Sequence, residues 1–459
     1  MEEERVHFLG ICGTAMGSVA AAFSERGYCV TGSDADVYPP MSTFLEEKGI
    51  ELSSGYRPEN IPDDVDVVVV GNVISRGNPE LEEVLERKLR YVSLPEIVKE
   101  HFLRGRRNVV VTGTHGKTTT SSMAAWLLES AGLEPSYMIG GIPSNLGRGA
   151  RFTDSNYVVL EGDEYDTAFF DKRSKFLHYL PEILIVNNIE FDHADIFSSI
   201  DEIKLSFRRL LNIVPRNGVV FVNGDDANCL EVAESCPTPV AQVGFGEDCD
   251  IRIEALEYMP GKSAFTLNGA RFEVPMDGEF NVRNAAMALC AGRFLGVARE
   301  KLRTALSGFE GIARRQQVRG QVRGITIIDD FAHHPSAMRQ AIPAIRQHFP
   351  DSRVWAVFEP RSNTTKRNFF QQELPEALAL ADGAVVAAVA QPEKVPIGDR
   401  LDAPRVVREL ERLGKRAHYG KDTDSIVASL RDDVSEGDVI VVFSNGGFGG
   451  LHERLLAEL

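Results

Sequence analysis

Short, continuous apolar runs alternate with amphipathic stretches along the chain, and this alternation predicts parallel strands joined by helices. Residues 6–9 read as a short buried strand, 15–26 as a helix and 29–32 as a second strand. The run at 65–70 reads as a stronger strand, because consecutive β-branched residues suit a parallel sheet covered on both faces. A charged helix over 79–88 follows, and the basic, turn-like segment 104–108 is a first domain junction. A new strand at 109–111 runs into a Gly-rich turn and a helix, and the runs at 157–160 and 183–186 extend that unit. The stretch 237–280 is β-rich and irregular, as an inserted sheet would be, and a helix over 282–294 closes the region. Gly311-Ile-Ala-Arg-Arg-Gln316 is a second junction. Beyond it, buried-type strands at 325–328, 354–358, 383–388 and 439–443 are separated by helical stretches, which predicts a third α/β domain.

A length of 459 residues fits this division into several cores. No apolar run approaches the roughly 20 residues that cross a bilayer. The acidic start MEEERVHFLG enters a strand directly, so no signal peptide is expected and the cytoplasm is the expected location. Cysteines at 12, 29, 229, 236, 249 and 290 form no Cys-x-x-Cys pair, which speaks against a structural zinc site or a disulfide framework. A formal net charge of −17 repels nucleic acid and anionic membrane, and neither is expected as a partner; no obligate protein partner is implied. Small anionic ligands remain compatible, since backbone N–H groups bind phosphate locally.

The sharpest chemical signal is Val109-Val-Val-Thr-Gly-Thr-His-Gly-Lys-Thr-Thr-Thr120. A buried strand ends in a glycine turn, and Lys117 and Thr118 open a helix. N–H groups at such a helix start cradle phosphate, Lys117 neutralises β/γ charge, and the Thr118 hydroxyl can bind Mg²⁺. Gly113 and Gly116 stand closer together than in the common phosphate loop, yet the context defines an ATP site. Two later strand ends offer oxygen ligands, Glu161-Gly-Asp-Glu164 and Asn187-Asn-Ile-Glu-Phe-Asp-His193. Glu161 suits direct coordination of Mg²⁺, and His193 offers a neutral nitrogen to a second ion.

In the third domain Ile327-Ile-Asp-Asp-Phe-Ala-His-His-Pro335 crowds Asp329, Asp330, His333 and His334 at a strand end, a density that marks a site. Glu359-Pro-Arg-Ser-Asn-Thr364 places Arg361 where it can fork onto a carboxylate or phosphate, with Ser362 and Asn363 beside it. Ser444-Asn-Gly-Gly-Phe-Gly-Gly450 offers close backbone approach and the amide of Asn445. At the N-terminus, Gly10-Ile-Cys-Gly-Thr-Ala-Met-Gly17 joins strand to helix without G-x-G-x-x-G spacing, which favours a nucleotide diphosphate over a redox cofactor. Asp34, after Ser33, stands where an acidic residue can bind a ribose hydroxyl, and the segment from Asn72 through Ser75 can line the same cleft.

Thr112-Gly-Thr-His-Gly-Lys-Thr-Thr119, Glu161-Gly-Asp-Glu164, Asn188-Ile-Glu-Phe-Asp-His193, Asn281-Val-Arg-Asn284 and Asp329-Asp-Phe-Ala-His-His-Pro335 occur in that order. As a set they resemble the Mur ligase family over essentially the whole chain. The resemblance implies an α/β protein of three domains. These are a Rossmann-like UDP-sugar domain (1–106), a P-loop-type ATPase domain (107–314) and a Rossmann-like domain for the incoming amine (315–459). It implies that Gly113, Thr114, His115, Gly116, Lys117, Thr118 and Thr119 surround the ATP phosphates. Thr118 and Glu161 are then on one Mg²⁺ and His193 on a second. Asn281 and Asn284 lie near the adenine, His333 near the phosphates, and Arg314 or Arg315 at the hinge. Gly10, Cys12, Gly13, Thr14, Met16, Gly17, Ser33, Asp34, Asn72 and Ser75 fall to the UDP-sugar, and Arg361, Ser362, Asn363 and Asn445 to the amine substrate.

Within the family, the glycine turn and the Thr-His-Gly-Lys form resemble members that use UDP-N-acetylmuramate directly. The segment Glu164-Tyr-Asp-Thr-Ala-Phe-Phe-Asp-Lys-Arg-Ser-Lys-Phe176 and the third-domain motifs resemble the branch that attaches L-alanyl-γ-D-glutamyl-meso-diaminopimelate. The alternative is the branch that adds L-alanine. Phe280 replaces a histidine common before the first asparagine. Lys204 stands near a position where relatives carry a carbamylated lysine, but its spacing from His193 is short, and it reads as an exposed helical lysine. The implied chemistry is activation of the lactyl carboxylate as an acyl phosphate, then attack by the peptide amine. His333, His334 or Asp330 can orient the γ-phosphate or accept a proton, and the residues alone do not rank them.

Overall fold

The computed structural model describes residues 4–39 and 41–459; residues 1–3, part of the acidic start, and residue 40 lie outside it. The described chain gathers into two compact units. One comprises the chain up to Phe191 with Ser199–Arg252 and Met287–Ala305; the other comprises Asp192–Ser198, Ile253–Ala286 and Leu306–Leu459. No helix among the described residues is long and apolar enough to cross a membrane.

In the first unit the opening apolar runs form a parallel sheet ordered Glu51–Ser54, Cys29–Asp34, Arg5–Leu9, Val67–Val70 and Tyr91–Ser93. The expected helices appear as Thr14–Ser24 and Pro79–Glu86. The latter starts cleanly because the Asn78 side chain accepts the N–H groups of Glu80 and Leu81, with Pro79 at the first position. Strand order reverses between Arg5–Leu9 and Val67–Val70, so the turns after those two strands lie at the topological switch point where open α/β sheets take ligands.

The second sheet of this unit centres on Arg107–Thr112, with Ile183–Val186 on one side and Tyr157–Glu161 on the other, all parallel. Val219–Asn223 and Val240–Gly244 extend it in one direction, and Ser136–Met138 in the other. Thus Val240–Gly244 belongs to the parallel sheet rather than to an inserted one. The junction expected at 104–108 is shorter, because Arg107 and Asn108 already pair in the strand; residues 104–106 make the turn.

Aromatic packing fastens the two sheets of this unit together. Phe169 and Phe170, between the strands Asp166–Ala168 and Asp171–Ser174, pack against the cluster of Leu9, Val68, Val70 and Leu81. Phe170 meets Tyr91 edge-on at 5.0 Å, and Phe102 lies 4.2 Å from Phe152. Such pairs add to the burial of their apolar area. This joins the first hundred residues and the phosphate-loop region into one compact body.

In the second unit, the strands Ile251–Met259 (from Ile253 on), Lys262–Leu267 and Ala270–Val274 form an antiparallel sheet. A six-stranded sheet runs Gln317–Val322, Ile325–Asp330, Val439–Phe443, Val354–Phe358, Gly383–Ala387 and Arg416–Gly420, parallel except for the first hairpin. Its helix Pro335–His348 docks on the antiparallel sheet through its last residues. Gln347 Oε1 accepts the Gly278 N–H at 3.0 Å, and His348 Nδ1 meets Asp277 Oδ2 at 2.7 Å. Gly278 takes φ 92°, and a Cβ there would sit 2.8 Å from Ala344 Cβ, so this close approach requires glycine. The helix expected over 282–294 begins after that turn, at Glu279–Phe294.

The sharp bend carrying Phe169 and Phe170 is held by a buried carboxylate. Asp171 accepts from Arg173 Nε at 2.9 Å and Nη2 at 2.7 Å and meets His178 Nε2 at 2.9 Å. Burial alone would raise its pKa, but Arg173 and His178 outweigh it and hold the carboxyl at about 2. A carboxylate held below its unfolded value, about 3.9, stabilises above that value and loses the contribution as pH falls through the folded one. Asp171→Asn is therefore expected to cost about 1–2 kcal/mol at neutral pH, a screened ion pair's worth. The gap in melting temperature from wild type should close between about pH 4 and pH 2; a gap independent of pH would refute the ionic role.

Candidate active site

The phosphate loop is built at the carboxyl edge of the parallel sheet. Thr112 is in register with Val186, and Val111 with Glu161, so the loop, Glu161 and Asn187 share one rim. Gly113 takes φ 127°, and a Cβ there would lie 3.0 Å from the backbone N and O of Asn188; Gly116 caps the helix Lys117–Ser130 in the left-handed region. Asn188 clamps the turn between them. Its Oδ1 accepts the His115 N–H at 2.7 Å, its Nδ2 donates to the His115 carbonyl at 3.1 Å, and its carbonyl accepts the Thr114 N–H at 3.1 Å. Thr114 Oγ1 accepts the Glu190 N–H at 2.9 Å, and Asn187 Nδ2 donates to Thr120 Oγ1 at 3.0 Å. The two asparagines thus set the loop's shape. Sequence reasoning quoted them within a motif but gave them no role.

Lys117 and Thr118 then point at the acidic strand end. Lys117 Nζ donates to Glu164 Oε2 at 2.7 Å and to the Gly113 carbonyl at 2.8 Å. Burial works against its charge, but Glu164 and Asp163 outweigh that and raise its pKa. Glu161 accepts from Thr118 Oγ1 at 2.8 Å and from the Gly140 N–H at 2.7 Å, while burial and Asp163 push its pKa up. A hydroxyl and a half-buried carboxylate side by side are hard oxygen donors, and a divalent cation would stabilise the carboxylate's charged form. These residues fit Mg²⁺. Lys175, not anticipated, lies 3.8 Å from Asp163 and over the Tyr165 ring at 4.0 Å.

At the first sheet's switch point, Gly10 takes φ 85°, and the N–H groups of Gly10 and Ile11 donate to the Ser33 carbonyl at 2.8 and 3.0 Å. Asp34 Oδ2 accepts the Cys12 N–H at 2.9 Å, so one oxygen of the expected ribose ligand shapes the glycine turn instead. A Cβ on Gly17 would lie 2.6 Å from Met41 Sδ, which fixes glycine there. Gly13 and Thr14 are exposed at the helix start; Asn72 and Ser75 are exposed beyond the neighbouring strand, and Met16 is buried beneath. Ser33 is placed differently from expectation. It is fully buried, and its hydroxyl donates to Glu80, which also accepts from the Arg57 N–H and the Asn60 amide. Ser33 supports the turn from below rather than facing a ligand.

In the second unit, Asp192 is buried with its Oδ1 accepting from Thr364 Oγ1 at 2.6 Å and from the His193 N–H at 2.7 Å. Burial would raise its pKa, but His193, His333, Thr364 and His334 hold it well below the carboxylate range. His193 adopts φ 53° and opens a turn whose carbonyl accepts the N–H groups of Ile196 and Phe197. Asn363 Nδ2 donates to Asp195 Oδ2 at 2.8 Å, and Ser362 Oγ bonds Thr365 Oγ1 at 2.8 Å. These two expected peptide ligands therefore hold the loop in place.

The remaining third-domain residues divide by role. Asp330 is buried, both oxygens accepting backbone N–H groups from Gln316 and Ala332 at 2.9 and 2.7 Å, which makes it a turn holder rather than a base. His334 caps its helix through Nδ1, accepting the Ser336 N–H at 3.2 Å, and His333 Nδ1 lies 3.1 Å from the Phe331 carbonyl. Arg314 pairs with Asp329 at 3.2 Å and donates to the carbonyls of Ser444 and Gly446 at 2.8 and 2.7 Å; Arg315 lies against Phe331. Arg314 thus ties its own turn to the glycine loop. Within that loop a Cβ on Gly446 would come 2.2 Å from Arg361 Nε, so the loop's glycine lets Arg361 lie across it. Asn445 Oδ1 is buried without a hydrogen-bond partner among the described residues. Asn281 and Asn284 sit one turn apart on Glu279–Phe294, Asn281 Nδ2 donating to the Asp277 carbonyl at 2.8 Å. Lys204 is buried and paired with Glu231 at 2.5 Å, so it is not the exposed helical lysine expected.

Models of three Mur ligase domains match the chain in order. They are the Mur ligase family catalytic domain at residues 5–106, the Mur ligase middle domain at 111–292 and the Mur ligase glutamate ligase domain at 314–446. The chain belongs to the Mur ligase family of ATP-dependent amide-bond ligases. It is 42% identical, over 99% of its length and 98% of the relative's, to UDP-N-acetylmuramate–L-alanyl-γ-D-glutamyl-meso-2,6-diaminoheptandioate ligase of Escherichia coli. A UDP-N-acetylmuramate–L-alanine ligase of Salinibacter ruber is 32% identical over 96% of this chain and 92% of its own. The crystal structure of a murein peptide ligase from Psychrobacter arcticus superposes with a TM-score of 0.73 at 34% identity, covering 99% of this chain and 98% of that one.

Two substitutions separate the loop's charge from its shape. Lys117→Met is expected to lower the rate of ADP release about 10²–10³-fold, the cost of losing one preorganised charge-stabilising group. Asn188→Ala should raise KM for ATP about tenfold with a smaller change in kcat, because the loop N–H groups lose their alignment. Steady-state kinetics on both variants checks this, and an unchanged KM for ATP in Asn188→Ala would refute the clamp.

Proposed function

We propose that this chain joins L-alanyl-γ-D-glutamyl-meso-diaminopimelate to UDP-N-acetylmuramate, with ATP converted to ADP and phosphate, in cytoplasmic recycling of peptidoglycan. The observation that carries the reading is the strand-end cluster of the second unit. Arg361 lies across Gly446, and Asn445 presents a buried, unpartnered amide oxygen beside it. A cation and an acceptor together suit a substrate bearing both carboxylates and N–H donors, as a peptide does. The name of the Escherichia coli relative agrees with that substrate.

In this reading residues 1–106 bind the UDP-sugar, 107–314 the ATP, and 315–459 the peptide. The loop from Gly113 to Thr119 wraps the ATP phosphates with backbone N–H groups, and Lys117 neutralises charge on the transferring phosphoryl. Asn281 and Asn284 offer amides to the adenine. Thr118 and Glu161 would hold one Mg²⁺ and His193 a second, and bound Mg²⁺ would supply charge neutralisation to the phosphates. The lactyl carboxylate attacks the γ-phosphoryl and becomes an acyl phosphate. The alanyl amine of the peptide then attacks its carbonyl carbon, and phosphate leaves. With both Asp330 oxygens accepting backbone N–H groups, His333 or His334 would orient the γ-phosphate or accept a proton.

The deciding experiment is ADP release with Mg²⁺-ATP and UDP-N-acetylmuramate, comparing the tripeptide with free L-alanine. Turnover with the tripeptide is expected; turnover with L-alanine alone would replace this reading with that of an alanine-adding ligase. Arg361→Ala and Gly446→Ala should both raise KM for the tripeptide at least tenfold while leaving KM for ATP within about twofold. Equal effects on both substrates would remove the loop from peptide binding.

A further inference from the structure

Two lysines are buried among the described residues, and they are treated differently. Lys204 has a carboxylate, Glu231, at 2.5 Å. Lys366 is 5% exposed, and among the described residues no carboxylate or hydrogen-bond acceptor lies within bonding distance of its ammonium. That ammonium is largely shielded yet still reaches solvent, and a shielded cation with no partner in the fold is a ready seat for an incoming anion.

The surroundings define what that something is. Lys366 follows Thr364 and Thr365, both buried, on a loop fixed at both ends: its N–H donates to the Ser362 carbonyl at 3.0 Å, and its carbonyl accepts the Leu401 N–H at 2.9 Å. The charged groups facing it are Arg361 and Lys394, which oppose its charge, and Glu393 and Glu359, which favour it. Neither carboxylate serves as a partner. Glu359 is committed to Ser444 Oγ at 2.5 Å and to Arg361 Nη1 at 3.3 Å, and Glu393 is exposed on the turn Pro392–Lys394. Burial and the two neighbouring cations together lower the Lys366 pKa. Arg361 and Lys394 thus add to the positive field at Lys366, and neither nearby carboxylate is bonded to it.

We propose that Lys366, flanked by Arg361 and Lys394, binds a carboxylate of the incoming peptide. This rests on the tripeptide reading above and adds to it a specificity residue outside the Glu359-Pro-Arg-Ser-Asn-Thr364 motif. In the tripeptide the carboxyl of L-alanine is tied up in an amide, so the carboxylates belong to the second and third residues. The chain that holds Thr364 against Asp192, beside His193, reaches Lys366 two residues later, within about 7 Å. A carboxylate seated there would leave the peptide's amine close to the His193 turn.

The test compares wild type with Lys366→Met, which keeps the length and removes the charge, and with Lys366→Arg. Wild-type ADP release with the tripeptide is measured first; its absence would refute the substrate reading itself, independently of Lys366. Given that turnover, Lys366→Met should raise KM for the tripeptide roughly 30-fold or more, leave KM for ATP and for UDP-N-acetylmuramate within about twofold, and be partly rescued by Lys366→Arg. Tripeptides amidated singly at each carboxylate identify the partner: the analogue whose KM is the same for wild type and Lys366→Met carries the missing anion. Without peptide, Lys366→Met should melt no lower than wild type, since the ammonium makes no bond within the fold, and saturating tripeptide should stabilise wild type more than the variant. An unchanged KM for the tripeptide, an equal rise for ATP or the UDP-sugar, or a lower melting temperature with and without peptide would overturn the proposal.

Discussion

The structure depends above all on the burial of charge at the carboxyl ends of its parallel strands. Around the phosphate loop Glu161, Asp163 and Glu164 face Lys117 and Lys175, and the acidic side is in excess. Burial raises the Glu161 pKa, whereas the neighbouring carboxylates raise that of Lys117. Low dielectric makes both effects large, so the excess of acid leaves the site short of positive charge. A loop with this requirement must be rigid before its ligands arrive. Asn187 and Asn188 meet that need by filling the turn's backbone positions with side-chain amides from the adjacent strand end.

The second unit solves the same problem by a different route. Its strand ends carry Asp329, Asp330 and Glu359, all buried, and each is satisfied within the fold: by Arg314, by two backbone N–H groups, and by Ser444 with Arg361. The glycine loop after Val439–Phe443 is therefore held from below by Arg314 and covered from above by Arg361. Backbone glycines at Gly446 and Gly278 are consequences of these close approaches rather than signs of mobility.

Much of this was legible in the sequence, for a physical reason. Strands buried on both faces are written as apolar runs, so Ile183–Val186, Val354–Phe358 and Val439–Phe443 coincide with their runs to the residue. Edge strands have one wet face, and Gln317–Val322 and Arg416–Gly420 escaped notice because their residues alternate with polar and charged ones. Residue types at strand ends revealed where chemistry sits, but not which groups the fold itself consumes. Ser33, Asp330, Arg314, Ser362 and Asn363 all carry the right chemistry and all turn out to be hydrogen-bonded to other parts of the fold. Lys204 failed in the opposite sense. It stands at a helical position that looked exposed, yet its stem is buried and its head reaches Glu231.

Three lysines show why pairing, rather than residue type, separates scaffold from site. Lys204 is buried with a carboxylate that serves nothing else but the nearby Arg208, so the charge is settled within the fold and the pair is structural. Lys117 is paired to Glu164, yet that carboxylate belongs to a cluster with more acid than base, so the lysine is held charged and in position rather than neutralised away. Lys366 lacks a partner altogether, and the fold has placed two further cations near it. A protein can tolerate the first arrangement anywhere. The second and third leave charge unsettled within the fold, which is the mark of places where charged ligands bind. Their order is one of increasing electrostatic incompleteness. It runs from a helix on the surface of the first unit, through the phosphate loop, to the loop of the second unit that follows Arg361.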